Sequence, residues 1–238
     1  MEYLKLFVVP AAIVAVISYL LGSISFSIIF TKIFKKHTDI RTLGSGNAGA
    51  TNVLRSVGKL PALLTLIFDF GKGAVSVIIG RLVFSYLCDT FSAPTSFIQY
   101  GAYIAGFSCI MGHIFPVFFG FRGGKGVLTC AAMMAFVDWR VFLVELLLFL
   151  IIFLITKIVS LSSIIAACCY PITTFLFSCF IDHRTGGVSV TGIWISTVAT
   201  FIVGAIIVVK HHSNIKRILH GEEKKIIGQS KKKDSKDL

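Results

Sequence analysis

Phosphate-handling residue types cluster in three short polar stretches of an otherwise apolar chain. The first, Gly44 to Arg55, holds Ser45, Asn47, Thr51, Asn52 and Arg55 among three glycines. A guanidinium offers a planar fork to an anion, hydroxyls and amides complete its hydrogen bonds, and glycines let a ligand approach the backbone. The same composition would also serve a plain polar connecting loop. The second stretch, Gly123-Gly124-Lys125-Gly126, directly precedes an apolar run that reads as a helix. Unpaired N–H groups and partial positive charge at a helix N-terminus attract anions, and Lys125 adds a full charge there. The spacing GxxxxGK[ST] is not met, since Gly126 stands at the hydroxyl position, so a nucleotide is not expected. The competing reading is a glycine turn with a lysine reaching to the membrane surface.

The third stretch runs from Lys210 to Arg217 and places His211 and Asn214 three residues apart, on one face of a continuing helix. An imidazole with a reference pKa of about 6.5 suits proton transfer at neutral pH. A basic flank of a membrane span would look similar. Ser160, Ser162 and Ser163 either cap the helix that follows or offer hydroxyls to a phosphate. Asp69 and Lys72, three apart inside an apolar run, share a helix face; they form either a structural pair or one that orients a site. His113, just before Pro116, reads as a supporting residue.

The elements that must position these groups are membrane helices. Of the 238 residues 55% are hydrophobic and only 14% charged, well below the charge of a soluble domain; mean hydropathy is +0.88. A span needs about 20 apolar residues. Seven runs qualify, at about 4–34, 60–88, 97–116, 124–137, 140–156, 161–181 and 190–210, the fourth only as a partial or thin span. The opening run is too long for a signal-peptide core and lacks a clear cleavage site, so it reads as an uncleaved helix. The expectation is an all-α integral membrane protein: a seven-transmembrane-helix bundle forming one catalytic domain over 1–227, then a basic, disordered cytoplasmic tail over 228–238.

The net charge of +12 reflects topology rather than nucleic acid, which is not expected as a partner. With the N-terminus outside and the C-terminus cytoplasmic, Lys5, Arg81, Arg140 and Arg184 fall near the outer face. The other 19 of the 23 Lys and Arg fall on the inner side, as the positive-inside rule requires. All three polar stretches then share the cytoplasmic face. The six cysteines show no CxxC spacing and sit in or beside apolar runs, so they read as packing residues. No metal or cofactor is expected.

Taken in order, these motifs resemble the bacterial acyl-phosphate:glycerol-3-phosphate acyltransferases, the PlsY family. The resemblance begins at Gly22-Ser23-Ile24 and continues through Ser45-Gly46-Asn47, Gly49-Ala50-Thr51-Asn52 and Arg55. It runs on through Gly112-His113 to Pro116, Gly123-Gly124-Lys125-Gly126-Val127, His211-x-x-Asn214-Ile215-x-Arg217 and Gly221-x-Glu223-x-Lys225. It implies a multi-pass protein of the bacterial cell membrane that takes acyl phosphate and glycerol 3-phosphate as substrates and yields lysophosphatidic acid and phosphate. Membrane lipid surrounds it. Ser45, Arg55, Lys125, His211 and Asn214 are implied as the catalytic set, and Gly123, Gly124 and Gly126 as the acyl-phosphate end. Asn47, Thr51, Asn52, Ser162 and Ser163 are further phosphate-binding candidates. A good leaving group makes direct attack simpler than an acyl-serine at Ser45, with either His211 or the donor's own phosphate taking the proton. The alternative class is an organic-phosphate transporter, although a carrier needs a midplane site open to both faces in turn.

Overall fold

The computed structural model describes residues 2–226, and all regular structure among them is helical. The tail over 228–238 lies outside the described residues. Ten α-helices follow one another: α1 (Glu2–Ser23), α2 (Phe26–Phe34), α3 (Ala50–Ser56), α4 (Lys59–Phe91), α5 (Ser96–Ile114), α6 (Val127–Val137), α7 (Trp139–Thr156), α8 (Val159–Phe177), α9 (Val190–Lys210) and α10 (His212–Leu219).

Among the described residues, six stretches are long and apolar enough to cross a membrane: Lys5–Phe34, Lys59–Phe91, Ser96–Phe119, Trp139–Thr156, Val159–Asp182 and Val190–Lys210. Their apolar side chains face outward where a lipid-facing surface demands it: Leu147, Leu154 and Ile155 on α7 and Val198 and Phe201 on α9 are all exposed. The first stretch is broken at Ile24–Ser25, where α1 gives way to α2. The fourth of the seven expected spans, 124–137, is short. At 11 residues, α6 rises only about 16 Å, half of a hydrocarbon core of about 30 Å. It packs against α4, α5 and α7 and is lined by Cys130, Met133 and Met134, so it behaves as a core element.

Alternating helix directions sort the connections into two ends. At one end lie residues 35–58, 115–126, 157–158 and 211–226; at the other lie 92–95, Asp138 and 183–189. Contacts across each end agree. At the first, Arg41 donates to the carbonyls of Phe119 (2.6 Å) and Arg122 (3.2 Å), and the Ile226 amide donates to Lys157 O (3.0 Å). At the second, Arg140 bridges to Asp182, and Arg81 donates to Phe136 O. The three polar stretches therefore meet at one end because each is a loop or helix terminus of the same parity.

Candidate active site

The 44–55 loop is built around one buried amide. The Asn52 Nδ2 donates to Leu43 O (2.9 Å) and Asn47 O (3.0 Å), and its Oδ1 accepts the Ser45 N–H (3.1 Å). An asparagine has few enough sites that these bonds occupy them. Asn52 thus shapes the loop from inside rather than facing a ligand. The hydroxyls of Ser45 and Thr51 and the side-chain amide of Asn47 have no hydrogen-bond partner among the described residues, and Ser45 is exposed. Arg55, in the last turn of α3, is exposed too and donates through Nη2 to Lys224 O (2.8 Å).

The glycine loop enters α6 as its spacing predicts. Gly126 is the N-cap, at φ +82°, a left-handed conformation that a side chain would strain. The first backbone bond of the helix is Cys130 N–H to Gly126 O (2.8 Å), so the amides of Val127, Leu128 and Thr129 have no carbonyl to meet among the described residues. The loop is held from below by α5: Gly123 N–H donates to Ile114 O (3.2 Å) and Gly124 N–H to His113 O (3.1 Å).

Lys125 reaches from this loop to the third stretch, where its Nζ donates to Asn214 Oδ1. Asn214 in turn donates through Nδ2 to Glu223 Oε1 (2.6 Å). Glu223 also takes Ser160 Oγ (2.7 Å) and Arg217 Nε (2.6 Å on Oε2). Burial raises the Glu223 carboxyl, but the bonds from Ser160, Arg217 and Asn214 outweigh it and hold the group below the usual range, so it is an anion. Burial pushes Lys125 down to about 8; Glu223 opposes that shift, while Arg217, Arg55 and Lys210 add to it. Four cations thus act on this end against one nearby carboxylate, an arrangement completed by an anion.

His211 lies at the junction of α9 and α10 and is buried. Its Nδ1 is 2.7 Å from Ile207 O. A carbonyl can only accept, so Nδ1 carries the hydrogen and Nε2 keeps the lone pair. Burial pushes its pKa down to about 4, further than the bond to Ile207 can offset, so the ring is neutral at pH 7.

Ser162 and Ser163 are placed otherwise than a phosphate role would need. Both are buried, and their hydroxyls donate back to Ile158 O (3.0 Å) and Val159 O (2.9 Å) within α8. Of that turn only Ser160 reaches the site, through Glu223. Glu223 was not among the expected site residues; its place in the motif Gly221-x-Glu223-x-Lys225 was the one sign of it.

A multi-pass helical membrane protein that gathers surplus cations, unpaired amides and a neutral imidazole at one end belongs to the class that handles anionic head groups. The comparisons narrow that class. A family model described as Glycerol-3-phosphate acyltransferase matches residues 12–221. The glycerol-3-phosphate acyltransferase of Prochlorococcus marinus (strain MIT 9215) is 41% identical over 209 residues, covering 88% of this chain and 94% of its own length. That of Francisella tularensis subsp. mediasiatica (strain FSC147) is 36% identical over 222 residues, covering 93% and 95%. The crystal structure of PlsY, an integral membrane glycerol 3-phosphate acyltransferase, in its glycerol 3-phosphate form aligns with a TM-score of 0.70 at 35% identity, over 91% of this chain and 95% of that one. Its lysophosphatidic acid form aligns at 0.68 and 34%. The chain belongs to the glycerol-3-phosphate acyltransferase family, of the PlsY type. Membership sets the transporter alternative aside.

Proposed function

We propose that the chain transfers a fatty acyl group from acyl phosphate to the sn-1 hydroxyl of glycerol 3-phosphate, releasing lysophosphatidic acid and phosphate. The reading places the polar end on the cytoplasmic face of a bacterial inner membrane, in a seven-helix bundle with α6 as a partial span. The observation that carries it is the meeting of Lys125, Asn214 and Glu223, which joins the glycine loop to the third stretch beside Arg55 and His211. Lys125, the free amides at the head of α6, and Arg55 neutralise phosphate charge, with Ser45, Asn47 and Thr51 as further donors.

The chemistry follows from the protonation states. The acceptor hydroxyl oxygen attacks the acyl carbon, the bond from that carbon to the phosphate oxygen breaks, and the hydroxyl proton must leave. Neutral His211 offers an Nε2 lone pair that accepts a hydrogen bond from the hydroxyl and aims it. With a pKa of about 4 it is a weak terminal base. The departing phosphate gains negative charge and basicity as its bond to carbon lengthens, and it is then a stronger base than this imidazole and the better destination for the proton. No covalent protein intermediate is required, and Asn214 fixes Lys125 rather than the imidazole.

The purified protein supplied with palmitoyl phosphate and glycerol 3-phosphate is expected to release phosphate and lysophosphatidic acid one for one. Palmitoyl-CoA should give no product. Uptake of glycerol 3-phosphate into sealed vesicles without phosphate release would overturn the reading. Radiolabelled acyl group retained on the protein would overturn the direct attack.

A further inference from the structure

Beneath the glycine loop lies a buried charged cluster that the reaction scheme leaves unused. Lys72, on α4, donates through Nζ to Gly22 O (2.9 Å) and Ile24 O (2.7 Å) and meets His113 Nδ1 at 2.9 Å. Asp69 Oδ1 is 2.8 Å from the same nitrogen, and both side chains are almost wholly buried. An ammonium has three hydrogens. Gly22 O, Ile24 O, His113 Nδ1 and Asp69 Oδ1 all lie within 2.9 Å of its nitrogen and share them, the carboxylate as its ion-pair partner. The two carbonyls belong to the break between α1 and α2, where the helix no longer satisfies them and lipid cannot.

The imidazole leads on to the loop. An ammonium only donates, so His113 Nδ1 accepts and the ring is fixed in one orientation. Its edge lies directly under Gly124: a Cβ at that position would collide with His113 Nε2 and with Ala48 O. The His113 carbonyl holds the Gly124 amide, and Lys125 is the next residue. Ionisable groups inside a membrane segment are costly and are retained where something depends on them. Lys72 covers the two carbonyls at the helix break, and its contact with His113 carries the cluster's hold on to the glycine loop.

We propose that Asp69, Lys72 and His113 are positioning residues, which set the height and tilt of the Gly123–Gly124 turn and so place the Lys125 ammonium against substrate phosphate. Lys72 fixes the ring, the ring and its carbonyl fix the turn, and the turn aims Lys125. Ala48 O closes on the same face of Gly124 as the ring, so the turn packs against the 44–55 loop and the cluster also sets the spacing of the two phosphate-binding loops. The inference rests on the reading of the glycine loop as the acyl-phosphate end.

Four quantities test it: thermal stability, KM for palmitoyl phosphate, KM for glycerol 3-phosphate, and the inhibition constant of inorganic phosphate. They are measured for the double variant Asp69→Leu/Lys72→Met and for His113→Asn and His113→Leu. The double variant keeps a packed interior but leaves the Gly22 and Ile24 carbonyls without their donor, so it is expected to melt lower than wild type. Its KM for palmitoyl phosphate and its phosphate inhibition constant should rise together by about ten- to a hundredfold, the scale of a small misplacement. His113→Asn places an amide oxygen near the Nδ1 position but lacks the ring edge under Gly124, so it should recover part of the wild-type values, whereas His113→Leu should recover none. A stable double variant with wild-type constants, or equal constants for Asn and Leu at 113, would overturn the proposal. If the double variant does not fold, the His113 pair decides alone. Failure of the acyl-phosphate reading shows up separately, as a wild-type protein without acyl-phosphate turnover.

Discussion

The two ends of the bundle carry the same kinds of charged residue and use them in opposite ways. At the end away from the glycine loop, Arg140 is gripped by two carboxylates: Asp138 meets its Nε and Nη2 at 2.9 and 2.8 Å, and Asp182 its Nη1 and Nη2 at 2.8 and 2.9 Å. Four of its five N–H donors are taken by carboxylates. That end also holds a cavity of about 680 Å³, lined by Gln99, Tyr103, Tyr170 and Thr174 among others. At the glycine-loop end, Lys125 meets an amide oxygen and Arg55 a backbone carbonyl, and Glu223 is shared among three donors. The contrast teaches that a hollow does not identify the site here. The gathered cations do: four share one carboxylate at the glycine-loop end, whereas Arg140 is held by two carboxylates and has little left to offer a phosphate.

Breaking the comparison at its strongest point means removing Lys125. Lys125→Ala is expected to lower kcat/KM by about a hundred- to a thousandfold, the usual effect of deleting a donor aimed at developing charge. A steady-state assay with both substrates checks this. Glu223→Gln keeps one acceptor oxygen but turns an NH2 towards a facing donor and loses the charge that holds Arg217, so a fall of about tenfold is expected together with a lower melting temperature. At the far end Arg140→Ala should leave kcat/KM within about twofold while lowering the melting temperature by a few degrees. Its pairs are partly exposed, and such pairs contribute about 1 kcal/mol or less each. A large activity loss at Arg140 would erase the distinction between the ends.

Much of this was legible in the sequence, for physical reasons. Apolar runs of spanning length fix helix positions to within a few residues because lipid leaves the backbone no other choice. The glycine loop announced itself by standing directly before an apolar run, and α6 by its shortness. Side-chain destinations were less legible. Asn52, Ser162 and Ser163 have the right chemistry for a phosphate, but only coordinates reveal that their donors turn back to carbonyls. Glu223 sits in a run of mixed charge, Glu222 to Lys225, with no periodicity to single it out. Glu145 was hidden differently: one carboxylate in a long apolar run, it is buried on α7 and meets Thr173 of α8 at 2.7 Å, a pairing across helices that spacing along one helix cannot reveal. The Asp69–Lys72 pair was visible at three-residue spacing, but its ties to Gly22, Ile24 and His113 were not.

The account depends most on a half-buried, charged Lys125 at the meeting of the loops, and the pH dependence of kcat/KM tests that most directly. This parameter reports ionisations of the free protein and free substrates. Because burial lowers the Lys125 pKa to about 8, the ammonium is present below that pH and lost as pH rises through it. Comparing wild type with Lys125→Arg, whose guanidinium stays charged, removes the substrates' own titrations from the difference. The account predicts that wild type loses kcat/KM above about pH 8 and that the arginine variant, whatever its absolute rate, stays level to about pH 10. Profiles that fall together, or a wild type level to pH 10, would contradict it.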